Sequence, residues 1–127
     1  MSTNIIVTKD EYNQQLIPTI WRGALRLIVE AIKSNKYQLI KRDPSIKDID
    51  SSDVMRINDN IEEYGCTLIE LPEETWENSV CQWMQGYWDV LVELYTAEEG
   101  RSDLILDVRV YEQKHGFEYE VISVHVE

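Results

Sequence analysis

The sequence predicts an α+β fold, with two N-terminal helices packed on one face of a three- to four-stranded, mostly antiparallel meander sheet. Two stretches near the start carry apolar residues at helical spacing, and the segments from Trp88 onward alternate apolar and polar residues. Helices first and adjacent strands afterwards is the order of an α+β domain, expected as one unit over residues 1–127.

The first helix is expected over 18–34. Ile17, Ile20, Trp21, Ala24, Leu25, Ile28, Ala31 and Ile32 recur at three and four, and Arg22, Arg26, Glu30 and Lys33 fall elsewhere on the wheel. Upstream, Thr8 and Glu11 have capping-box spacing, but Pro18 interrupts any helix begun there, so only a short turn is expected. "SNKYQLIKRDPSIKDIDSS" ends the helix, with an extended piece expected at Tyr37 to Ile40 before a turn at Asp43 and Pro44; its lysines form the chain's basic cluster. The second helix is expected over 51–64: Asp50 or Ser51 caps it, Val54, Ile57, Ile61 and Tyr64 form its stripe, and Gly65 supplies a left-handed stop.

"CTLIEL" reads as an edge strand, and Pro72 with "EETWEN" as one irregular or helical turn. Val80 to Met84 reads as a strand and Gln85-Gly86 as a tight turn, with helix as the alternative for 73–84. "WDVLVELY", "LILDVRVY" and "FEYEVISVHV" then form three antiparallel strands. Val90, Val92 and Leu94 share a buried face with Leu104, Leu106, Val108 and Val110, while Asp89, Glu93, Tyr95, Asp107, Arg109 and Tyr111 face outward. In the last strand Phe117, Tyr119 and Val121 point inward, yet Ile122, Val124 and Val126 form the next apolar set. A β-bulge near Val121 resolves that change of phase.

Charge restricts function more than any motif. Twelve Lys and Arg stand against 24 Asp and Glu, a formal net of -12. Residues 1–61 hold nine basic and eight acidic residues, whereas 62–127 hold three basic and sixteen acidic. Nucleic acid is a poor partner for such a surface, and a basic protein a good one. No run reaches the roughly 18 apolar residues of a membrane span, and the polar start lacks the regions of a signal peptide, so a cytoplasmic protein is expected, with no membrane partner. Cys66 and Cys81 have no C-x-x-C spacing and read as buried free thiols.

The stretch "YTAEEGRSDLIL" crowds Glu98, Glu99, Arg101 and Asp103 around Gly100. Taking Thr96 to Ser102 as the hairpin loop sets Tyr95 opposite Asp103, Glu93 opposite Ile105 and Asp89 opposite Arg109, with Glu120 on the far side of Arg109. That register predicts a cross-strand charge network whose individual ion pairs are worth about 0–1 kcal/mol. Each polar residue of the loop also has a local role, Gly100 by positive φ, Ser102 or Asp103 by bonding backbone, and Arg101 by neutralising glutamates. The carboxylates lack the alternate spacing of a calcium loop and Arg101 repels a cation, so no metal or other cofactor is expected.

No G-x-S-x-G, Gly-rich phosphate loop or H-E-x-x-H occurs; His115 and His125 fall in a turn and a terminal strand, and no catalytic residue is assigned. Trp21 fits the helix core, whereas Trp76, Trp83 and Trp88 cluster with Tyr87, where core packing competes with a role as exposed anchors.

The segment "WDVLVELYTAEEGRSDLILDV", Trp88 to Val108, resembles an uncharacterised family of small bacterial domains in which a strand ending in an aromatic and Thr leads into E-E-G-R-S-D-L. A small acidic domain without a catalytic constellation is also similar in general character to the immunity proteins of contact-dependent inhibition and polymorphic toxin systems. That second resemblance implies no particular binding residues. The leading expectation is a non-enzymatic immunity protein that occludes a basic toxin domain, with a nuclease as the preferred class. Its expected binding face is Asp89, Glu93, Tyr95, Asp107, Tyr111, Glu118 and Glu120, joined by the loop residues Glu98, Glu99 and Asp103. A small enzyme or ligand-binding domain with a pocket between helices and sheet, and a self-associating accessory domain, are the alternatives.

Overall fold

The computed structural model describes residues 4–127; residues 1–3, the first of the polar start, lie outside the described residues. Five strands form one antiparallel sheet in chain order: β1 (Gln15–Leu16), β2 (Val80–Trp83), β3 (Trp88–Thr96), β4 (Gly100–Gln113) and β5 (Gly116–Val126). The helices are α1 (Arg22–Ser34) and α2 (Ser51–Tyr64). The expected α+β class holds, with five strands where three to four were expected. The strand missed is β1, a two-residue element just before Pro18 that pairs Gln15 with Cys81 and Leu16 with Val80. Two residues cannot display a period, and this strand precedes the helices.

Pro18 sets the entry to α1, capping a 3-10 turn at Thr19–Trp21 that runs into the helix. Leu25, Ile28, Val29, Ala31 and Ile32 are its buried stripe, and Asn35 ends it with φ 55°. The capping-box helix does not form at Thr8 to Glu11. Instead the Asp10 carboxylate accepts the backbone N–H groups of Tyr12 and Asn13 in a turn. Tyr37–Arg42 is a 3-10 helix, not an extended piece. The α2 boundaries agree with expectation, with the Asp50 side chain accepting from the Ser52 N–H and Gly65 left-handed at φ 75°.

"CTLIEL" contributes only an isolated bridge, Leu68 to Thr96, because β2 is short. Beyond Leu91, β3 has no β2 partner, and the 67–79 segment satisfies its edge: Ile69 N–H donates to Tyr95 C=O, and Thr75 Oγ1 donates to Glu93 C=O at 2.7 Å. Glu73–Glu77 is a 3-10 turn and 80–83 the strand, so the helical alternative for 73–84 falls.

The bulge expected near Val121 lies at Ile122, between the pairs Asp107–Ser123 and Val108–Val121. Behind the sheet the core joins Val90, Val92, Leu104, Leu106, Val108 and Val124 to α1, Ile57 of α2 and the tryptophans. Trp21 and Trp88 meet edge-on at 5.1 Å, and Trp83 lies 4.6 Å from Trp88. Burying aliphatic side chains of this kind contributes roughly 1.5–3 kcal/mol each. Trp76 and Trp88 are buried and Trp83 is packed against the core, so none of the three is an exposed anchor. Both cysteines are free thiols; burial pushes Cys81 up to about 11. No helix among the described residues is long and apolar enough to cross a membrane.

Candidate functional site: the uncovered sheet face

The helices lie on one side of the sheet, and strand register orders the side chains on the other. One cross-strand row runs Gln82, Asp89, Arg109, Glu120; the next runs Leu16, Val80, Leu91, Asp107, Ser123; a third runs Glu93, Ile105, His125. The Asp89–Arg109 and Glu93–Ile105 pairs therefore stand as the alternation predicted. Leu16 is 42% exposed and Val80 and Leu91 are half-buried, so an apolar row crosses the face and ends at Asp107.

The charges on this face pair otherwise than expected. Arg109 does not bridge Asp89 and Glu120; its guanidinium carbon stacks 4.5 Å from the Tyr87 ring centroid. Glu120 instead accepts the Tyr111 hydroxyl at 2.8 Å and lies 3.8 Å from Lys47 Nζ, which also reaches Glu118 at 3.6 Å. Lys47 arrives because residues 45–47 pair along the β5 edge, Tyr119 N–H donating to Ser45 C=O and Lys47 N–H to Tyr119 C=O. A register between consecutive strands cannot foresee that cation, which comes from the loop before α2. Arg101 is bound to Glu93, with Nε–Oε2 and Nη2–Oε1 distances both 2.8 Å.

Asp89 and Asp107 have no such partner. They occupy adjacent rows on neighbouring strands, and Asp107 Oδ1 is buried with no hydrogen-bond donor among the described residues. Burial, the facing carboxyl of Asp89 and its charge push Asp107 up to about 7, with Arg109 a partial offset.

The hairpin tip is tighter than expected. Thr96 pairs with Gly100, leaving Ala97, Glu98 and Glu99 as the loop in place of Thr96 to Ser102, and Tyr95 lies opposite Arg101, not Asp103. Gly100 takes φ 73°, the left-handed residue that closes a three-residue hairpin. The register slips because β4 holds three residues, Ser102 to Leu104, across from Leu94 alone; buried Ser102 Oγ donates to Leu94 C=O at 2.7 Å and accepts Leu104 N–H at 3.2 Å.

The tip carboxylates are locally engaged. Glu98 accepts the Thr67 N–H at 2.8 Å, which lowers its pKa, and Glu99 accepts the Tyr64 hydroxyl at 2.5 Å. Asp103 donates its backbone N–H to the same hydroxyl at 3.2 Å. This end of the molecule fastens the hairpin to α2 and to the segment that follows it at Thr67. Of the expected binding residues, the structure leaves Asp89 and Asp107 without a cation in the middle of the face, bonds Tyr111 to Glu120 beyond the start of β3, ties Glu93, Glu118 and Glu120 into ion pairs, and sets Glu98, Glu99 and Asp103 apart at the tip. Tyr95 is only 6% exposed, at the upper margin.

Behind the sheet side chains fill the core, and at its edge an open groove of about 380 Å³ runs between α2 and β5, lined by Asn60, Glu63, Tyr64, His125 and Val126. Among the described residues no three His, Cys, Asp or Glu side chains converge as a metal-binding group.

No curated protein and no solved structure matches the chain. A family model described as a domain of unknown function, DUF7668, matches residues 29–127, more than three quarters of the sequence and strands β2 to β5 of the sheet. It agrees with the uncharacterised family that the Trp88 to Val108 segment resembles, and reaches back into α1. The chain belongs to the DUF7668 family.

Proposed function

We propose that the protein is a non-enzymatic binding protein of the immunity type, which docks a basic protein on the uncovered sheet face and neutralises it by occlusion. The observation that carries this reading is the Asp89–Asp107 pair. Two carboxyls at the end of a half-exposed apolar row lack a cation, while the other carboxylates of the face already have one or a hydroxyl donor. A lysine or arginine from a partner would relieve their repulsion, and Leu16, Val80 and Leu91 would lose water beside it. The surrounding negative charge would speed encounter with a basic partner.

A nuclease toxin is the partner class that this charge suits, since a protein that grips phosphate presents a basic surface. Capture of the tagged protein's partners from cells that encode it, washed at low and high salt, tests the reading. A basic protein bound one-to-one, loosened by salt, toxic when expressed alone and harmless when co-expressed with this chain is the expected result. A harmless or acidic partner, or none, would overturn it.

A further inference from the structure

One cation of the uncovered face has no role so far. Lys47 is bound to Glu118 and Glu120, and Arg101 to Glu93, whereas no carboxylate lies within ion-pair distance of Arg109 among the described residues. The register nevertheless sets Asp89 directly across from Arg109 on β3 and Glu120 across from it on β5.

Aromatic contacts explain the difference. The Arg109 guanidinium carbon lies 4.5 Å from the Tyr87 ring centroid, and the Tyr111 hydroxyl reaches one side of the group while donating to Glu120. The two tyrosine rings themselves pack with centroids 5.9 Å apart. Stacking engages the face of a guanidinium and leaves in-plane N–H donors available, and that planar fork matches a carboxylate two bonds at a time. What can reach those donors follows from charge. A free anion is repelled by Asp89, Glu118 and Glu120 and by the net charge of -12, but a carboxylate carried on a basic protein arrives with the charge that draws that protein in.

We infer that Arg109 receives a side-chain carboxylate of the docked protein, beside the lysine or arginine that Asp89 and Asp107 receive, so that the face reads a cation and an anion together. This assignment rests on the proposed docking of a basic protein and adds the feature that selects among basic proteins. Asp89 pairs with Arg109 across the strands and Asp107 is its next neighbour on the same face of β4, which sets the two receiving points roughly 5–7 Å apart. Side chains three or four residues apart on a helix have that separation, as do alternate residues of a strand. A matching epitope is an Asp or Glu one such step from a Lys or Arg.

Arg109→Gln makes an acidic face more acidic. Attraction at a distance alone therefore predicts that capture of a basic partner holds or rises, whereas loss of a carboxylate's fork predicts that it falls. Capture from cells that encode the protein, quantified by mass spectrometry, is compared for wild type, Arg109→Gln, Arg109→Lys and Lys36→Gln, the last at an exposed cation in the loop after α1. The partner should fall about fivefold or more on Arg109→Gln and about threefold on Arg109→Lys, which keeps the charge and loses the fork, and should hold or rise on Lys36→Gln. With the partner identified, its Asp and Glu residues are changed singly to Asn or Gln. One of these changes should weaken capture by the wild type as much as Arg109→Gln does, and cost nothing further against Arg109→Gln. Misfolding does not imitate that coupling, because a variant weakened by misfolding stays sensitive to the partner's carboxylate. Undiminished capture by Arg109→Gln, an equal fall on Lys36→Gln, or no partner carboxylate coupled to Arg109 would overturn the assignment and leave docking on the face standing. A wild type that captures nothing would overturn the docking reading, and this anchor with it.

Discussion

Asp107 faces Asp89 diagonally across the β3–β4 pair, and the two carboxyls hold one proton more firmly than either would alone. The unfolded chain releases that proton at the ordinary carboxyl pKa, near 4, and the folded protein releases it near 7. The raised group therefore contributes stability that is complete below pH 4 and lost as pH climbs through about 7. Asp107→Asn, which keeps a donor toward Asp89 at every pH, should gain about 1 kcal/mol on the wild type between pH 5 and pH 8, a figure reduced for solvent screening. Urea denaturation at the two pH values measures it, and a difference that does not vary with pH would contradict the shared proton.

Ser102→Ala should cost about 1–3 kcal/mol, because it strips the Leu94 carbonyl and the Leu104 N–H of a buried partner in the widened stretch of β4. The urea midpoint should fall with the slope unchanged.

Gly100→Ala should cost about 1 kcal/mol through φ 73° alone, since a Cβ there meets nothing within 4 Å. A crowded site would lose more. Thermal denaturation of the variant decides, and an unchanged midpoint would mean that the tip relaxes to another turn.

Tyr64→Phe should loosen the hairpin tip by removing the one hydroxyl that serves both Glu99 and Asp103. Amide hydrogen exchange at 97–103 should quicken about three- to tenfold while β3 and β5 keep their protection.

Strong local patterns carried the legible part of the fold. The α1 and α2 stripes, the Gly65 stop, the Gln85-Gly86 turn and the bulge at Ile122 all follow from periods of two or 3.6 and from glycine. What failed has a common cause in tertiary contacts. The β1 strand exists because β2 offers an edge, Tyr37–Arg42 coils in the loop between the helices, and the hairpin tightens because Ser102 can satisfy Leu94 from inside a bulge. At the candidate site the alternation put Asp89, Asp107 and Arg109 on one face correctly. It could not foresee Lys47, delivered by backbone pairing on the far edge of β5, or the stack of Arg109 on Tyr87 that leaves the aspartates without a cation.

The most direct measurement of face-specific docking compares three tagged forms in partner capture from cells that encode the protein: wild type, Asp89→Lys/Asp107→Lys, and Asp48→Lys/Asp59→Lys. The last pair carries the same charge change on exposed positions outside the face. Quantified by mass spectrometry, the partner should fall about tenfold or more on the face variant and stay near wild-type level on the control. Equal retention by all three, or equal loss from both variants, would contradict docking on the Asp89–Asp107 face.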